Sequence, residues 1–438
     1  MAAAAAGAGS HREVTEEQAL RTDRLLFDFC LAHGRGAYEA EGPAPARLPR
    51  GAAAAMTVAA RRLYRALERN AGAWAVPPFP LREQVLAAGV RHTPPFWARF
   101  DGFLREGGGV FFAELNLDRP GGHREAMAAP HAGAAFRRRF VRALRLHWDR
   151  HGSGAAPRAA FLVDPAHREE LHIAHFYAGL LEAELGWPCT VAGPLNLGVD
   201  GGRALAFGEP VTLLMRQFPT EFFHEVPAMD SLLRLHHAGK LLILNDPTAV
   251  RGQAKSCFAW LWEQVLAGGG ALSRAEVAAV VDTVPYTAGM EAGVLPADAA
   301  VPEGESAPAP LVLLSQPEHW VLKPVLGRYS QGVTCGAVAP AEQWGAAVAA
   351  ALAEPGYWIA QRFIPQARVS LTRWTAGARE QVEGYVNWGL HFLGGRPAGW
   401  MARCSRTPVT DDAWFAPVSL APAEEEEHGA IHSAPDGG

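Results

Sequence analysis

The sequence predicts an α/β layer followed by an α+β unit. Two observations carry that prediction. Between about 96 and 250, short apolar runs of strand length alternate with amphipathic helices, the pattern of a largely parallel sheet. After a stretch rich in Pro, Ala and Glu at 285–310, strand-like runs gather around one helix at 341–354. No internal repeat runs through the chain.

The chain has 438 residues, enough for two or three ordinary domains, and 49% of them are apolar, as in a globular protein. The formal net charge of −5 argues against nucleic acid as the main partner and leaves room for small anions in local basic pockets. Cys30, Cys189, Cys257, Cys335 and Cys404 are scattered, with no Cys-x-x-Cys pair, so neither a disulfide framework nor a zinc site is expected. The start, MAAAAAGAGSHR, lacks the basic and apolar parts of a signal peptide, and no uncharged apolar run reaches membrane-spanning length. The expectation is a soluble, cytoplasmic protein with no membrane partner. Oligomeric state is not legible.

Residues 1–14 and the tail 421–438 are expected to be disordered, with the acidic run 424–427 solvated. Residues 15–95 read as mainly helical, broken by a loop at 42–55. The run 111–115 reads as a strand entered from the glycine turn Gly107-Gly108-Gly109. A strand at 161–164 and a helix over 169–187 follow, then strands near 189–192, 212–217 and 241–245. Beyond the 285–310 loop, strands are expected near 311–314, 320–324, 333–337, 357–363, 382–393 and 397–403.

Five groups of residues carry candidate chemistry. Arg99 and Asp101 lie two apart on one strand, and Glu114 and Asn116 two apart on the next, so each pair shares a face. If the strands form a hairpin, two carboxylates, an amide and a guanidinium converge. That is an oxygen-rich set suited to Mg²⁺, with an arginine for phosphate or oxyanion. A surface hairpin with ordinary ion pairs reads the same way. Lys323 ends an apolar strand and is followed by a loop with Gly327, Ser330, Gln331 and Gly332, where backbone N–H groups can approach phosphate; the Walker order is absent. A plain hairpin turn is the alternative. Asn245-Asp246-Pro247 precedes Lys255 in the first turn of an apolar helix, where a solvated helix lysine is the leading alternative. The strand 357–363 carries Gln361 and Phe363 and leads to Ile364; it could supply an apolar slot edged by backbone hydrogen-bonding groups, and read alone an ordinary core strand is the leading alternative. Arg403 ends a strand after Ala398-Gly399; Arg406 has the same chemistry nearby, and sequence does not separate them.

The order of these groups resembles the synthetase module of the glutathionylspermidine synthase family over roughly 96–418. Arg99-Phe100-Asp101-Gly102-Phe103 is similar to its Arg-(aromatic)-Asp-Phe strand, and Glu114-Leu115-Asn116-Leu117-Asp118 to its Glu-Tyr-Asn-x-Asp. Phe218-Pro219-Thr220-Glu221-Phe222 resembles its Tyr-Pro-Trp-Glu-Trp stretch. Lys323 to Arg328 looks like its Lys-Pro loop, and Ala398 to Arg403 with Pro408-Val409-Thr410 like its closing segment.

The resemblance implies a pre-ATP-grasp α/β domain at 96–250, holding substrate and metal, followed by an ATP-grasp nucleotide-binding domain at 251–420. It implies that Asp101, Glu114 and Asn116 bind Mg²⁺ and that Lys255 and Lys323 contact ATP phosphates. The 327–333 loop would cover those phosphates, and Gln361, Phe363 and Ile364 would border adenine. Arg99 would stabilise charge on the reacting acyl group, and Arg403 would reach phosphate. The implied activity is ATP-dependent amide formation between a small-molecule or peptide carboxylate and an amine. A non-catalytic ATP-binding protein of the same fold is the alternative. Arg119 and Gly121 stand where the family has serines associated with glutathione, and Tyr329 stands where its loop often has cysteine. Residues 1–95 show no pattern for the family's N-terminal amidase.

Overall fold

The computed structural model describes residues 45–87, 92–128, 132–164, 168–298, 302–327, 331–375, 378–408 and 413–421. The segment 1–14, most of the expected tail, Ser330 and the Val409-Thr410 pair lie outside the described residues. Among the described residues, no helix is long and apolar enough to cross a membrane.

A four-stranded parallel sheet runs Leu242–Leu244, Leu213–Arg216, Ala159–Leu162, Cys189–Ala192. Its first three strands are buried at every position. A strand covered on both faces cannot alternate, and for that reason these runs read as continuous apolar segments. The helix Arg168–Leu185 packs on one side.

The largest sheet has six strands. Ala413–Ala416, Arg396–Ser405, Ala378–Leu393, Trp97–Leu104 and Val110–Asn116 lie side by side, antiparallel throughout, and Val369–Thr375 pairs with the far end of Ala378–Leu393. The early hairpin and the late strands thus form one layer, though far apart in sequence. A smaller antiparallel sheet runs Thr287–Gly289, Trp358–Arg362, Trp320–Pro324, Thr334–Cys335. The helix Ala341–Ala353 covers it with Trp344, Val348 and Ala351.

Three local expectations are corrected. The 42–55 loop instead holds a strand, Ala46–Leu48, and the start of the helix Arg50–Arg69. Alanine is the best helix former, and Pro49 sits just outside the first turn, where its missing N–H costs nothing. Buried Met56, Ala59, Ala60, Leu63, Tyr64 and Leu67 supply the packed stripe. The run at 311–314 is not a strand but part of the helix Ala309–Ser315, with Pro310 in its first turn. The 285–310 stretch contains Thr287–Gly289 and the pair Val294–Pro296 and Ser306–Pro308.

One buried polar knot joins the parallel sheet to the large one. The Asn245 side chain, fully buried, donates to the carbonyls of Trp97 (2.8 Å) and Leu117 (2.5 Å). Its oxygen accepts from the N–H groups of Phe96 (3.0 Å) and Trp97 (3.2 Å). Both donors and both lone pairs are therefore used. Beside it, Arg216 donates to the carbonyls of Asn245 (3.1 Å) and Phe218 (3.0 Å) and to the Asp118 carboxylate (2.7 Å). Asp118 also accepts from the N–H and hydroxyl of Thr220. Burial alone would raise the Asp118 pKa, but Arg216 and Thr220 hold it below its usual value.

The side chains of the Asp118–Arg216 pair are 2% and 0% exposed, so Asp118→Ala leaves a buried guanidinium without its counter-charge. We expect a loss of about 3–5 kcal/mol in urea unfolding. The Arg406–Glu380 pair is half-exposed, and Arg406→Ala should cost less than about 1 kcal/mol in the same measurement.

Candidate functional site

The hairpin of Trp97–Leu104 and Val110–Asn116 pairs Arg99 with Asn116 and Asp101 with Glu114, with a bulge between Asp101 and Gly102. Bulges commonly re-aim side chains beside functional sites. Four of the expected residues therefore meet on one face. Across the next strand, Gly389 faces Asp101 and His391 faces Arg99. A Cβ on Gly389 would lie 2.9 Å from Arg99 Cδ and 2.6 Å from Met401 Cγ, so only glycine leaves space for the Arg99 side chain to cross the sheet.

Asp101 is held from two sides. Arg99 donates through Nε (2.5 Å) and Nη2 (2.9 Å) to its two oxygens, a bidentate fork, and Asn387 Nδ2 adds a bond of 2.9 Å. Arg99 Nη1 also donates to the Gly121 carbonyl at 2.9 Å.

Glu114 is the electrostatic centre. Lys255 Nζ stands 3.5 Å from its carboxylate, and Asn116 Nδ2 donates to it at 3.2 Å. Burial pushes the carboxyl pKa up, but the ammonium groups of Lys255 and Lys323 and the Arg99 guanidinium outweigh that and hold it at about 2. Its side chain keeps 27% of its surface open, so an incoming ion can reach it.

Both lysines are buried and arrive from the other side. Lys255 immediately precedes the helix Ser256–Leu266; its N–H donates to Val325 O at 2.9 Å and its Nζ to Gly327 O at 3.3 Å. Lys323 lies on Trp320–Pro324, where the register sets Gln361 across from Val321 and Thr287 across from Gln361. Lys323 Nζ donates to Gln361 Oε1 at 2.6 Å and to Ala113 O at 3.3 Å, and Gln361 Nε2 donates to Thr287 Oγ1 at 3.0 Å. Desolvation lowers the Lys323 pKa to about 8; Glu114 opposes the shift and Lys255 adds to it.

The remaining expected residues lie around this centre. Gly327 and Gly332 flank the loop end, both packed on Pro324, and Gln331 is exposed. Phe363 and Ile364 follow the strand Trp358–Arg362 and are half-buried, with Phe363 N–H donating to His319 O at 2.7 Å. Arg403 faces Asn387 in register, which sets it on the same sheet face as Asp101. Arg406 instead pairs with Glu380 at 2.8 Å, so geometry separates the two arginines that sequence could not. Sequence reasoning missed Gln253, Thr287 and Asn387, all neutral polar residues. Counting in steps of two along Ala378–Leu393 from Gly389 would have found Asn387.

The donor set of two carboxylates and an amide oxygen fits Mg²⁺ of the kind that completes its shell with phosphate oxygens. Among the described residues no group of three or more His, Cys, Asp or Glu side chains is placed to hold a metal ion.

No family profile and no curated protein sequence matches the chain. A solved structure shares its fold. It is the apo form of a glutathione synthetase-like effector from Globodera pallida, 12% identical, aligned over 93% of this chain and 97% of that one with a TM-score of 0.56. This likeness speaks to the fold alone, a mixed α/β architecture with several sheets. Two weaker matches carry no argument. One, described as a gamma-glutamylcysteine synthetase from Methylobacillus flagellatus, has 14% identity, coverage of 86% and 88%, and a TM-score of 0.42. The other, D-cycloserine synthetase, has 18% identity, coverage of 62% and 78%, and a TM-score of 0.31.

The folded state resists protonating Lys323, so between about 8 and the ordinary 10.5 the unfolded chain binds more protons, and this group's contribution to stability rises with pH across that window. In ¹³C-methyl-lysine NMR, Lys323 should titrate near 8 in the wild type. Glu114→Gln removes an anion that raises this pKa, so Lys323 should titrate lower still. An upward shift would contradict the assigned geometry.

Proposed function

We propose that the chain is an ATP- and Mg²⁺-dependent ligase that joins a small-molecule or peptide carboxylate to an amine through an acylphosphate. The observation that supports this best is the convergence on Glu114 of Arg99 and Lys323, from two different sheets, and Lys255, from the start of a helix. Three cations around one partly open carboxylate give a centre that attracts polyphosphate.

In this reading Lys255 and Lys323 exchange their present contacts with Glu114, Gly327 O and Gln361 for β- and γ-phosphate oxygens of ATP. Glu114, Asn116 and Asp101 are the residues that hold Mg²⁺, which neutralises phosphate charge when bound. The substrate carboxylate attacks the γ-phosphorus, its oxygen forms the new P–O bond, and ADP leaves. The amine nitrogen then attacks the acyl carbon, phosphate departs, and the nitrogen loses a proton. Positioning and charge neutralisation do most of this work. Arg99, fixed by its fork to Asp101, aims Nη1 along the Gly121 side, where it can stabilise the oxyanion of the tetrahedral intermediate. Arg403, two strands away on the same face, reaches the departing phosphate. Gln361, Phe363 and Ile364 border the adenine slot.

ATP with Mg²⁺ should raise the melting temperature more than ATP with EDTA, and Glu114→Gln should lose that metal-dependent increment. In a screen of carboxylates paired with amines, ADP release should require both partners, and Arg99→Ala should slow it by about 10²–10³-fold. ATP binding without ADP release for any pair would favour a non-catalytic nucleotide-binding protein. No thermal response to ATP at all would overturn the proposal.

A further inference from the structure

The metal end of the site depends on which atom Asn116 presents, and one unassigned residue decides that. Gln253 is buried at the end of the short helix Val250–Gln253, two residues ahead of Lys255. Its Oε1 accepts from the backbone N–H groups of Leu117 (3.1 Å) and Asp118 (3.3 Å). An amide oxygen facing two donors cannot exchange places with its nitrogen, so the orientation of Gln253 is set by the main chain. Its Nε2 donates to Asn116 Oδ1 at 3.4 Å, which forces Asn116 Nδ2 to be the group that donates to Glu114 at 3.2 Å. The order of bonds is therefore main chain, Gln253, Asn116, Glu114, with no freedom to flip at any amide.

Close packing makes this reach possible. A Cβ on Gly252 would lie 2.4 Å from Leu117 Cδ2, so glycine there lets the turn sit directly on Leu117. The same turn delivers Lys255 to Glu114, so the residue that orients the amide and the one that neutralises the carboxylate share one rigid piece of backbone.

We propose that Gln253 is a positioning residue for the metal-binding end of the site: by holding Asn116 with Oδ1 on one side and Nδ2 on Glu114, it presets the carbonyl and carboxylate oxygens as a pair. A carbonyl oxygen has a second lone pair, so Asn116 Oδ1 accepts from Gln253 and still faces a cation. Outer partners of this kind commonly change metal affinity by about 10- to 100-fold. The inference rests on the nucleotide–metal reading above.

The test is Mn²⁺ binding followed by electron paramagnetic resonance in the presence of ADP, with ADP binding in EDTA measured alongside. Gln253→Met keeps the volume but loses both ends of the link. Gln253→Leu removes the same two ends with a branched apolar side chain, so agreement between the two substitutions separates loss of the link from a packing effect. Both variants should weaken Mn²⁺ about 10- to 100-fold while metal-free ADP binding stays within about twofold. Gln253→Met combined with Asn116→Ala should bind Mn²⁺ no more weakly than Asn116→Ala alone, because the effect passes through Asn116. If wild type binds Mn²⁺ with ADP and both single variants match it, or if the double variant shows additive losses, the role of Gln253 is overturned and the nucleotide reading stands. If wild type binds no Mn²⁺ with ADP, both fall.

Discussion

The structure turns on the fully used amide of Asn245. It lies just past the parallel strand Leu242–Leu244 and bonds the backbone at the entry to Trp97–Leu104 and at the exit from Val110–Asn116. Strand pairing within either sheet says nothing about how the two sheets sit together; this side chain and Arg216–Asp118 fix that relation alongside the apolar cluster that packs Trp97 and Leu393 with Phe161 and Met215. Buried polar groups of this kind add little net energy when satisfied but are costly when broken, which makes them good at specifying one arrangement. Since Glu114 and Asn116 end the strand that leads to Leu117 and Asp118, the knot also sets where the site begins.

A second constraint is electrostatic. Glu114 and Asp101 stand among Lys255, Lys323 and Arg99, and the two lysines are both buried. Like charges this close are tolerable only because the carboxylates sit between them. Removing one anion leaves cations repelling in a low-dielectric setting; adding a polyphosphate relieves the imbalance. Asp101 is turned to Arg99 and Asn387, while Glu114 is turned to the lysines, so the two carboxylates are not equivalent.

Much of this was legible in sequence. Two-residue alternation placed Arg99 with Asp101 and Glu114 with Asn116, and the glycine turn between them signalled the hairpin. Apolar runs marked the parallel strands. What could not be read was which distant strand the hairpin joins, since Ala378–Leu393 pairs with it through register alone. The 311–314 run was too short for periodicity to separate strand from helix, and at 42–55 an alanine-rich helix start looked like a loop. Gln253 escaped because a neutral amide leaves no charge pattern, and its meaning depends on two N–H groups far away in sequence.

The long strand Ala378–Leu393 has one more consequence, for synthesis on the ribosome. The hairpin that carries Arg99, Asp101, Glu114 and Asn116 emerges early, yet the strand that pairs with its open edge is made only after more than half of the chain has followed. Until then that edge presents unpaired N–H and C=O groups, a template for any other extended segment. Pairing so distant in sequence is slow to form, because loop closure must be met before the contacts repay it. The growing chain therefore carries the hairpin of Arg99, Asp101, Glu114 and Asn116 with an unpaired edge until Ala378–Leu393 has been made.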